Sequence, residues 1–542
     1  MTTGDRLNVG TNVALVADRW GPRTALVAGD ETYTYRALNE RVNATARGLR
    51  ERGVDRGDRV GLLLPNSPAF VITHLAVQKL GAVTVPVNFR LSTDEVTYIL
   101  RDAAVRTFVY DRDFAETGAA SAAATDVDTV VVGDGSFAAL GDHDTSDVAS
   151  PACRDDHSFI AYTSGSTGRP KGVPHTHDDV ILGATQVVME MGLTRDDVAL
   201  HIAPLFHVVG LNCFFNPHWF IGATNVLQRR FDPAEALALV ERHGVTGTLG
   251  VPAQIRALLR VSDVDAYDLT SLRYVRTGGD PISEQTIDAV RSTLGVDFYN
   301  SYGLTETQQN VTVHTPDDPA NRRTSVGKAS YFWDVRVVEA ADPATVDPAA
   351  VVDRPGRGVV LIAGPMLTEG YLNRPEADAE AFVVGPGSVE AGVTATEDGP
   401  ESGAGSATVG RWLFTGDIAE IDADGYLSIV DRIDNLVKTG GETVYPQEIE
   451  DVLGDHPGVV DCGVCGMPSE AWGEAVTAAV VLEGDVTVAD LDVYLRGSDR
   501  LADFKRPRNY VVVDEIPRNP GSGSIRRGHL TSLIERAEPD TG

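Results

Sequence analysis

Tyr162-Thr163-Ser164-Gly165-Ser166-Thr167-Gly168-Arg169-Pro170-Lys171-Gly172 follows a strand-like run, Ser158-Phe159-Ile160-Ala161-Tyr162. The stretch puts hydroxyls, backbone N–H groups freed by glycine and one lysine into a single loop. Such a loop suits a polyphosphate: glycines let the backbone approach anionic oxygens, hydroxyls donate, and the lysine supplies charge. A Walker loop would place Gly-Lys-Ser/Thr after Gly165 and four residues, but Pro170 stands where its second glycine belongs. A flexible Ser/Gly surface turn is the plainer alternative. It has no need of a lysine beside glycines after a buried-looking strand.

Outward from the loop the chain alternates strands and helices. Thr32–Tyr35 reads as a strand and Arg36–Arg52 as a helix, with Leu38, Val42, Ala46 and Leu49 at helical spacing. Strands at 59–64, 82–87 and 107–110 then alternate with helices at 68–80 and 93–102. Residues 115–157 are rich in Ala, Asp and Gly and read as a variable connection. Beyond the loop, Val198–Ala203, Thr248–Pro252, Tyr274–Pro281 and Val296–Thr307 each end in a turn at a strand's carboxyl edge, where ligands bind in open α/β sheets. The pattern predicts an α/β fold of mostly parallel sheets flanked by helices.

At 542 residues the chain exceeds one ordinary core. No apolar run reaches the roughly 20 residues of a membrane span, and Met1-Thr2-Thr3-Gly4-Asp5-Arg6 is not a signal peptide, so a cytoplasmic protein is expected. The formal net charge of -32 argues against a nucleic-acid partner. Lysine is confined to Lys79, Lys171, Lys328, Lys438 and Lys505. Abundant Asp and Glu with so little lysine points to adaptation to high salt, where repulsion is screened; a GC-rich genome is the other reading. Cys462 and Cys465 form Cys-x-x-Cys inside a strand-like run, where odd spacing sends the thiols to opposite faces. They read as small hydrophobes, not a metal site.

Five motifs, in order and spacing, resemble the adenylate-forming enzymes: Tyr162–Gly172, Pro204–His207, Tyr302-Gly303-Leu304-Thr305-Glu306, Thr415-Gly416-Asp417 and Asp431-Arg432-Ile433-Asp434. That superfamily holds acyl- and aryl-CoA synthetases, peptide adenylation domains and luciferases. The tail resembles the CoA ligases, with Gly440-Gly441-Glu442 through Glu450, Gly466-Met467-Pro468 and Trp472-Gly473-Glu474. The resemblance implies that Thr163, Ser164, Gly165, Ser166, Thr167, Gly168 and Lys171 contact ATP phosphates. Gly278, Gly279, Asp280, Asn300, Ser301, Tyr302 and Gly303 would frame adenine. Thr305 would lie near the α-phosphate, Glu306 would hold Mg²⁺, and Asp417 and Arg432 would reach the ribose.

The same resemblance implies a carboxylic acid, ATP and coenzyme A as partners. The acid would occupy a pocket lined by His207, Val208, Val209, Gly210 and Phe214, with Phe206, Phe215 and Ile282 adding apolar surface for a fatty or aryl group. His207 is a candidate catalytic group with Lys171, Thr305 and Glu306, although its setting fits a pocket wall or gate better than a base. A hinge at Asp434 would divide the chain into a large N-terminal domain, 1–432, and a small mobile C-terminal α+β domain, 433–542, and Gly440 and Gly441 would border the coenzyme A tunnel. The oligomeric state stays open, a homodimer included.

One position departs from the family pattern. The usual Pro-Arg-x-x-Ser/Thr-Gly-Lys-Ile carries a lysine that bridges carboxylate and α-phosphate; here, allowing one extra residue, Pro517-Arg518-Asn519-Pro520-Gly521-Ser522-Gly523-Ser524-Ile525-Arg526-Arg527 puts Ser524 in its place. Three readings remain. Arg526 substitutes for the lysine; the protein adenylates poorly but still binds ligand or makes thioester; or the serine is an engineered or sequencing change. A stand-alone peptide-type adenylation domain and a silent nucleotide-binding protein are the further alternatives.

Overall fold

The computed structural model describes residues 8–163, 169–279, 282–339, 343–384, 410–440, 442–469, 471–498, 500–518 and 524–537. Two sheets carry the α/β rhythm. The nine-stranded one runs, in spatial order, 328–329, 310–314, 297–303, 274–278, 247–249, 198–201, 224–227, 24–28 and 31–34. Its inner pairings are parallel and its outer ones antiparallel. The six-stranded sheet runs 128–132, 105–111, 59–63, 83–86, 157–163 and 171–176, parallel except for its last pair.

That last pair flanks the glycine-rich stretch 164–170. Strands His157–Thr163 and Lys171–Thr176 form a hairpin in which Thr163 pairs with Lys171. Lys171 therefore begins the return strand. Ser164 to Gly168 lie outside the described residues.

Helices form where the sequence signals their ends. Ser67 caps Pro68–Leu80 by accepting from Phe70 N, proline opens the helix, and Gly81 at φ 67° closes it. Ser92 and Glu95 make a reciprocal capping box for Thr93–Asp102. Helix Pro68–Leu80 is buried on all sides, so its polar side chains need partners. Gln78 donates to Ser158 O at 2.9 Å, and Lys79 Nζ reaches Asn43 Oδ1 at 2.7 Å and Asp147 Oδ1 at 2.5 Å. Lys79 is thus a buried cation whose carboxylate partner lies at the surface.

The irregular connection expected over residues 115–157 is corrected. Helices Ala115–Thr125 and Ser136–Leu140 flank strand Asp128–Val132, which extends the six-stranded sheet. Alanine supplies helix propensity without apolar contrast, so the first helix leaves almost no periodic trace in the sequence.

A third sheet, of five strands, pairs Arg411–Ile421 with Gly356–Ala363, Phe382–Val384 and Leu427–Arg432. The chain then enters a fourth, also of five strands and built around Val459–Ser469 and Gly473–Leu482. Its faces are covered by helices Pro446–Gly454, Val488–Arg496 and Arg527–Arg536, an α+β unit. Cys462 packs into the core on one face and Cys465 into the core on the other, both as free thiols. Among the described residues no His, Cys, Asp and Glu cluster could hold a metal ion, and no helix is long and apolar enough to cross a membrane.

Burial lowers the pKa of His74 and His201 to about 3 and of His177 and His218 to about 4. Each ring takes a proton in the unfolded chain near pH 6.5 but refuses it in the fold. The unfolded state therefore binds more protons below that pH, and stability falls as pH drops from 6.5 toward 4, by up to about 1.4 kcal/mol per pH unit for each histidine. Thermal unfolding measured across that window should show the melting temperature descending with pH. A flat profile would contradict the buried neutral rings.

Candidate active site

A cavity of about 2520 Å³ opens at the carboxyl edge of strands Tyr274–Gly278 and Asp297–Gly303, against strands Arg411–Ile421 and Leu427–Arg432 and the C-terminal unit. At its centre Asp417 is 6% exposed. Tyr302 donates to Asp417 Oδ2 at 2.5 Å and Arg432 Nη1 to Oδ1 at 3.0 Å. Arg432 Nη2 also reaches Thr415 O at 3.2 Å. Register explains the pair: Asp417 and Arg432 are direct partners on adjacent antiparallel strands. Burial raises the Asp417 carboxyl while Arg432 draws it down, and the carboxylate in turn holds the Arg432 guanidinium charged.

Glycine lets two strands approach here. A Cβ at Gly278 would stand 2.7 Å from Ser301 O. Ser301 itself donates to Thr277 O at 2.9 Å, and Asn300 Nδ2 to Ser325 O at 3.0 Å, so both side chains are fixed by backbone. Gly279, at φ 92°, continues the turn from Gly278. Asp280 lies outside the described residues.

The hairpin delivers Thr163 and Lys171 to the same cavity. Lys171 Nζ lies 4.7 Å from the centre of the Tyr371 ring, a cation–π contact. The Tyr371 hydroxyl donates to Glu306 Oε1 at 2.6 Å. Burial, with the Glu306 charge beside it, pushes that phenol well above its usual value, so it remains a donor. Glu306 and Thr305 follow Gly303 in a turn pinned by two contacts: Thr305 O at 2.8 Å from His175 Nε2, and Glu306 O accepting from Thr368 N at 2.9 Å. The second carboxylate oxygen of Glu306 accepts no hydrogen bond from the described residues, which leaves it available to a hard cation such as Mg²⁺. Lys171 is the only one of the five lysines on this cavity.

Sequence reasoning missed Tyr371. Its signal was Gly370-Tyr371-Leu372-Asn373-Arg374-Pro375, a glycine- and proline-bounded turn whose Leu372 N binds back to Gly172 O at 2.8 Å.

The acyl-pocket candidates divide. His207, Val208 and Val209 line the cavity, with Phe206 beside them. Phe214 does not: it packs in the core against Val187, Leu193 and Leu249, with its ring edge-on to His218. Phe215 and Ile282 likewise belong to cores, and Gly210 faces Pro204 O, which a Cβ there would meet at 2.2 Å. The irregular turn at Leu211–Phe215 rotates the aromatic pair inward, which an apolar run in the sequence does not reveal. Burial lowers His207 to about pKa 4, so its ring is neutral and unsuited to supplying a cation at neutral pH.

The C-terminal unit closes the cavity with Ser524, Ile525, Arg526 and Arg527. Arg527 is committed elsewhere, in a buried ion pair with Glu450 (Nη2 to Oε2, 3.1 Å). Arg526 makes no side-chain ion pair among the described residues. Asp434 is on the cavity, in the turn Ile433–Asn435. Gly440, at φ 59°, is not: it packs against Trp472, whose carbonyl accepts its N–H at 2.9 Å, while Gly441 lies outside the described residues.

Residues 13–372 match the AMP-binding enzyme family and residues 448–522 the AMP-binding enzyme C-terminal domain. The chain belongs to the AMP-binding enzymes. A feruloyl-CoA synthase of an Amycolatopsis species is 36% identical over 509 residues, covering 94% of this chain and 95% of that protein. The long-chain-fatty-acid–CoA ligase FadD13 of Mycobacterium tuberculosis is 34% identical over 514 residues, again covering 94% and 95%. Among solved structures, an o-succinylbenzoate coenzyme A synthetase of Bacillus subtilis in complex with ATP and a magnesium ion superposes with a TM-score of 0.80, at 27% identity and covering 96% and 98% of the chains. Within the AMP-binding enzymes this chain is an acid–thiol ligase.

Asp417→Asn, which keeps shape and removes the charge, should weaken ATP binding by about 10- to 100-fold in calorimetry. Unchanged affinity would remove Asp417 from the nucleotide site. For His207, the pH–rate profiles of the wild type and His207→Asn should share their limbs between about pH 5.5 and 8. A limb near pH 6.5 seen only in the wild type would show a titrating histidine instead.

Proposed function

We propose that this chain is an AMP-forming carboxylate–CoA ligase. The acid's carboxylate attacks the ATP α-phosphorus, pyrophosphate leaves, and an acyl-adenylate forms. The coenzyme A thiol then attacks the acyl carbonyl and AMP leaves. The observation that carries this reading is the convergence on one cavity of a lysine, a carboxylate free on one side and a buried ribose-type carboxylate.

In this reading Thr163 and Lys171 hold the phosphates, Asn300, Ser301 and Tyr302 frame adenine, and Asp417 with Arg432 binds the ribose. Glu306 holds Mg²⁺, and Tyr371 fixes the angle of that carboxylate. Bound Mg²⁺ supplies positive charge to the phosphate oxygens. Bringing two anions together makes cation placement the main demand on the first step. The second step needs another face of the C-terminal unit. Asp434 serves as its hinge, dividing domains 1–432 and 433–542, and a turn about it brings Gly440 and Gly441 to the cavity as the coenzyme A tunnel. The edge bearing Ser524 lines the cavity and Gly440 does not, which is the arrangement that suits adenylation.

Arg526 supplies the cation that Ser524 cannot. It is two residues away on the same cavity wall, and no described carboxylate claims it. Arg526→Ala should lower ATP–pyrophosphate exchange by about 10²- to 10³-fold, and Ser524→Lys in that background should restore it. Assays belong at high salt, given the net charge of -32. Equal exchange in wild type and Arg526→Ala would remove the arginine from the step. Exchange absent from every form, with thioester made from supplied acyl-adenylate, would favour the adenylation-impaired reading.

A further inference from the structure

Strand Tyr274–Gly278 sends Val275 into the sheet core and Arg276 to the opposite face, two residues before Gly278 on the cavity. Arg276 lines the cavity and is 2% exposed. Nη1 donates to Cys213 O at 3.0 Å and lies 3.7 Å from Met191 Sδ; Nη2 donates to Asn310 Oδ1. These partners are all neutral. The buried Nε–H has no acceptor among the described residues. No hydrogen bond joins Glu190 to the guanidinium directly; Asn310 stands between them, its Nδ2 donating to Glu190 Oε2 at 3.0 Å. Burial raises the Glu190 carboxyl, while the charge of Arg276 nearby draws it down.

A buried guanidinium that bonds no carboxylate directly and keeps one N–H without an acceptor is incompletely compensated. Structure alone gives this one little return, since an apolar residue would fill the same face of the strand. The cavity wall nearby is also polar. Gln308 and Gln309 are oriented by donating to Asp179 O and to Asn212 O (2.6 Å), which leaves both Oε1 atoms buried without a donor. Phe206, Val208 and Leu249 supply apolar wall. A wholly apolar acyl group, the expectation from sequence, would leave the Nε–H of Arg276 without an acceptor.

We propose that the acid activated here carries, away from its reacting carboxylate, an oxygen group that accepts a hydrogen bond from Arg276: a hydroxyl or a second carboxylate. The proposal rests on the ligase reading above. A hydroxyl also donates, so it satisfies a glutamine Oε1 as well; a carboxylate neutralises the guanidinium but is opposed by those oxygens. Arg276 is then the specificity-determining residue of the acyl pocket.

The full chain is assayed at high salt for acid-dependent AMP release with two matched sets: benzoate, 4-hydroxybenzoate and terephthalate; octanoate, 8-hydroxyoctanoate and octanedioate. In at least one set an oxygenated member should exceed its plain parent by roughly tenfold or more in kcat/KM, because a site built to bond an oxygen rejects the analogue lacking it. Whether the hydroxy or the carboxy member leads distinguishes the two sources. Arg276→Leu should collapse that ratio toward one while ATP affinity is kept. If that variant fails to fold, Arg276→Lys, which keeps the charge but loses the planar fork, should still reduce the ratio severalfold. A plain parent preferred by the wild type, or a ratio unmoved in the variant, overturns the proposal and leaves the ligase reading intact. Calorimetry of the same acids with a non-hydrolysable ATP analogue separates the remaining cases. Tighter binding of the oxygenated acid without any turnover defeats the ligase reading alone, and binding by no member of either set overturns the proposal.

Discussion

The carboxylate of Asp417 is buried, and its two oxygens are answered from different parts of the fold. Tyr302 comes from the nine-stranded sheet, and Arg432 from the strand that leads into the C-terminal unit. Burying a carboxylate is tolerable only with such partners. The same bonds that make the charge affordable therefore fix the third sheet against the first and set the direction in which the chain leaves the N-terminal part. Immediately beyond, Asp431 accepts from Asn435 Nδ2 at 2.8 Å and from Gln447 N at 3.0 Å, carrying that alignment to the first helix of the C-terminal unit.

Much of this was legible because strands and caps leave local signals. Helices Pro68–Leu80 and Thr93–Asp102 have the bounds that Ser67, Gly81 and the Ser92–Glu95 box announce. The strand-then-glycine turns put Gly278 and Tyr302 on the cavity as read. What stayed hidden depended on long-range contact. Tyr371 matters through Glu306, 65 residues away, and nothing near it in sequence says so. Phe214 and Val208 are both apolar, yet an irregular helical turn sends one to the core and leaves the other on the cavity. Arg276 sits in a run of strand residues, and only the fold shows that it is buried with its Nε–H lacking an acceptor among the described residues.

Scarcity of lysine sharpened the reading of each one, and the structure assigns them different work. Lys79 is a buried cation paired with the exposed Asp147, Lys328 lies over the Tyr426 ring at 4.5 Å, and Lys505 pairs with Glu448. Lys171 alone meets the cavity. Arginine supplies other positive charges on the cavity wall, Arg276, Arg432 and Arg526 among them. Its delocalised charge is less strongly hydrated than an ammonium and is more easily kept within a partly buried wall.

The hairpin beneath the phosphate loop has a consequence for how this chain can change over evolution. Thr163 and Lys171 are opposed by strand register, so the cation is placed by the ladder and not by the loop between them. Additions or losses inside the loop alter its reach but leave the ammonium where it is. A single residue gained or lost within Lys171–Thr176 would instead turn every following side chain to the other face. A change of length between Thr163 and Lys171 therefore leaves the register of the sheet intact, whereas one within the return strand does not.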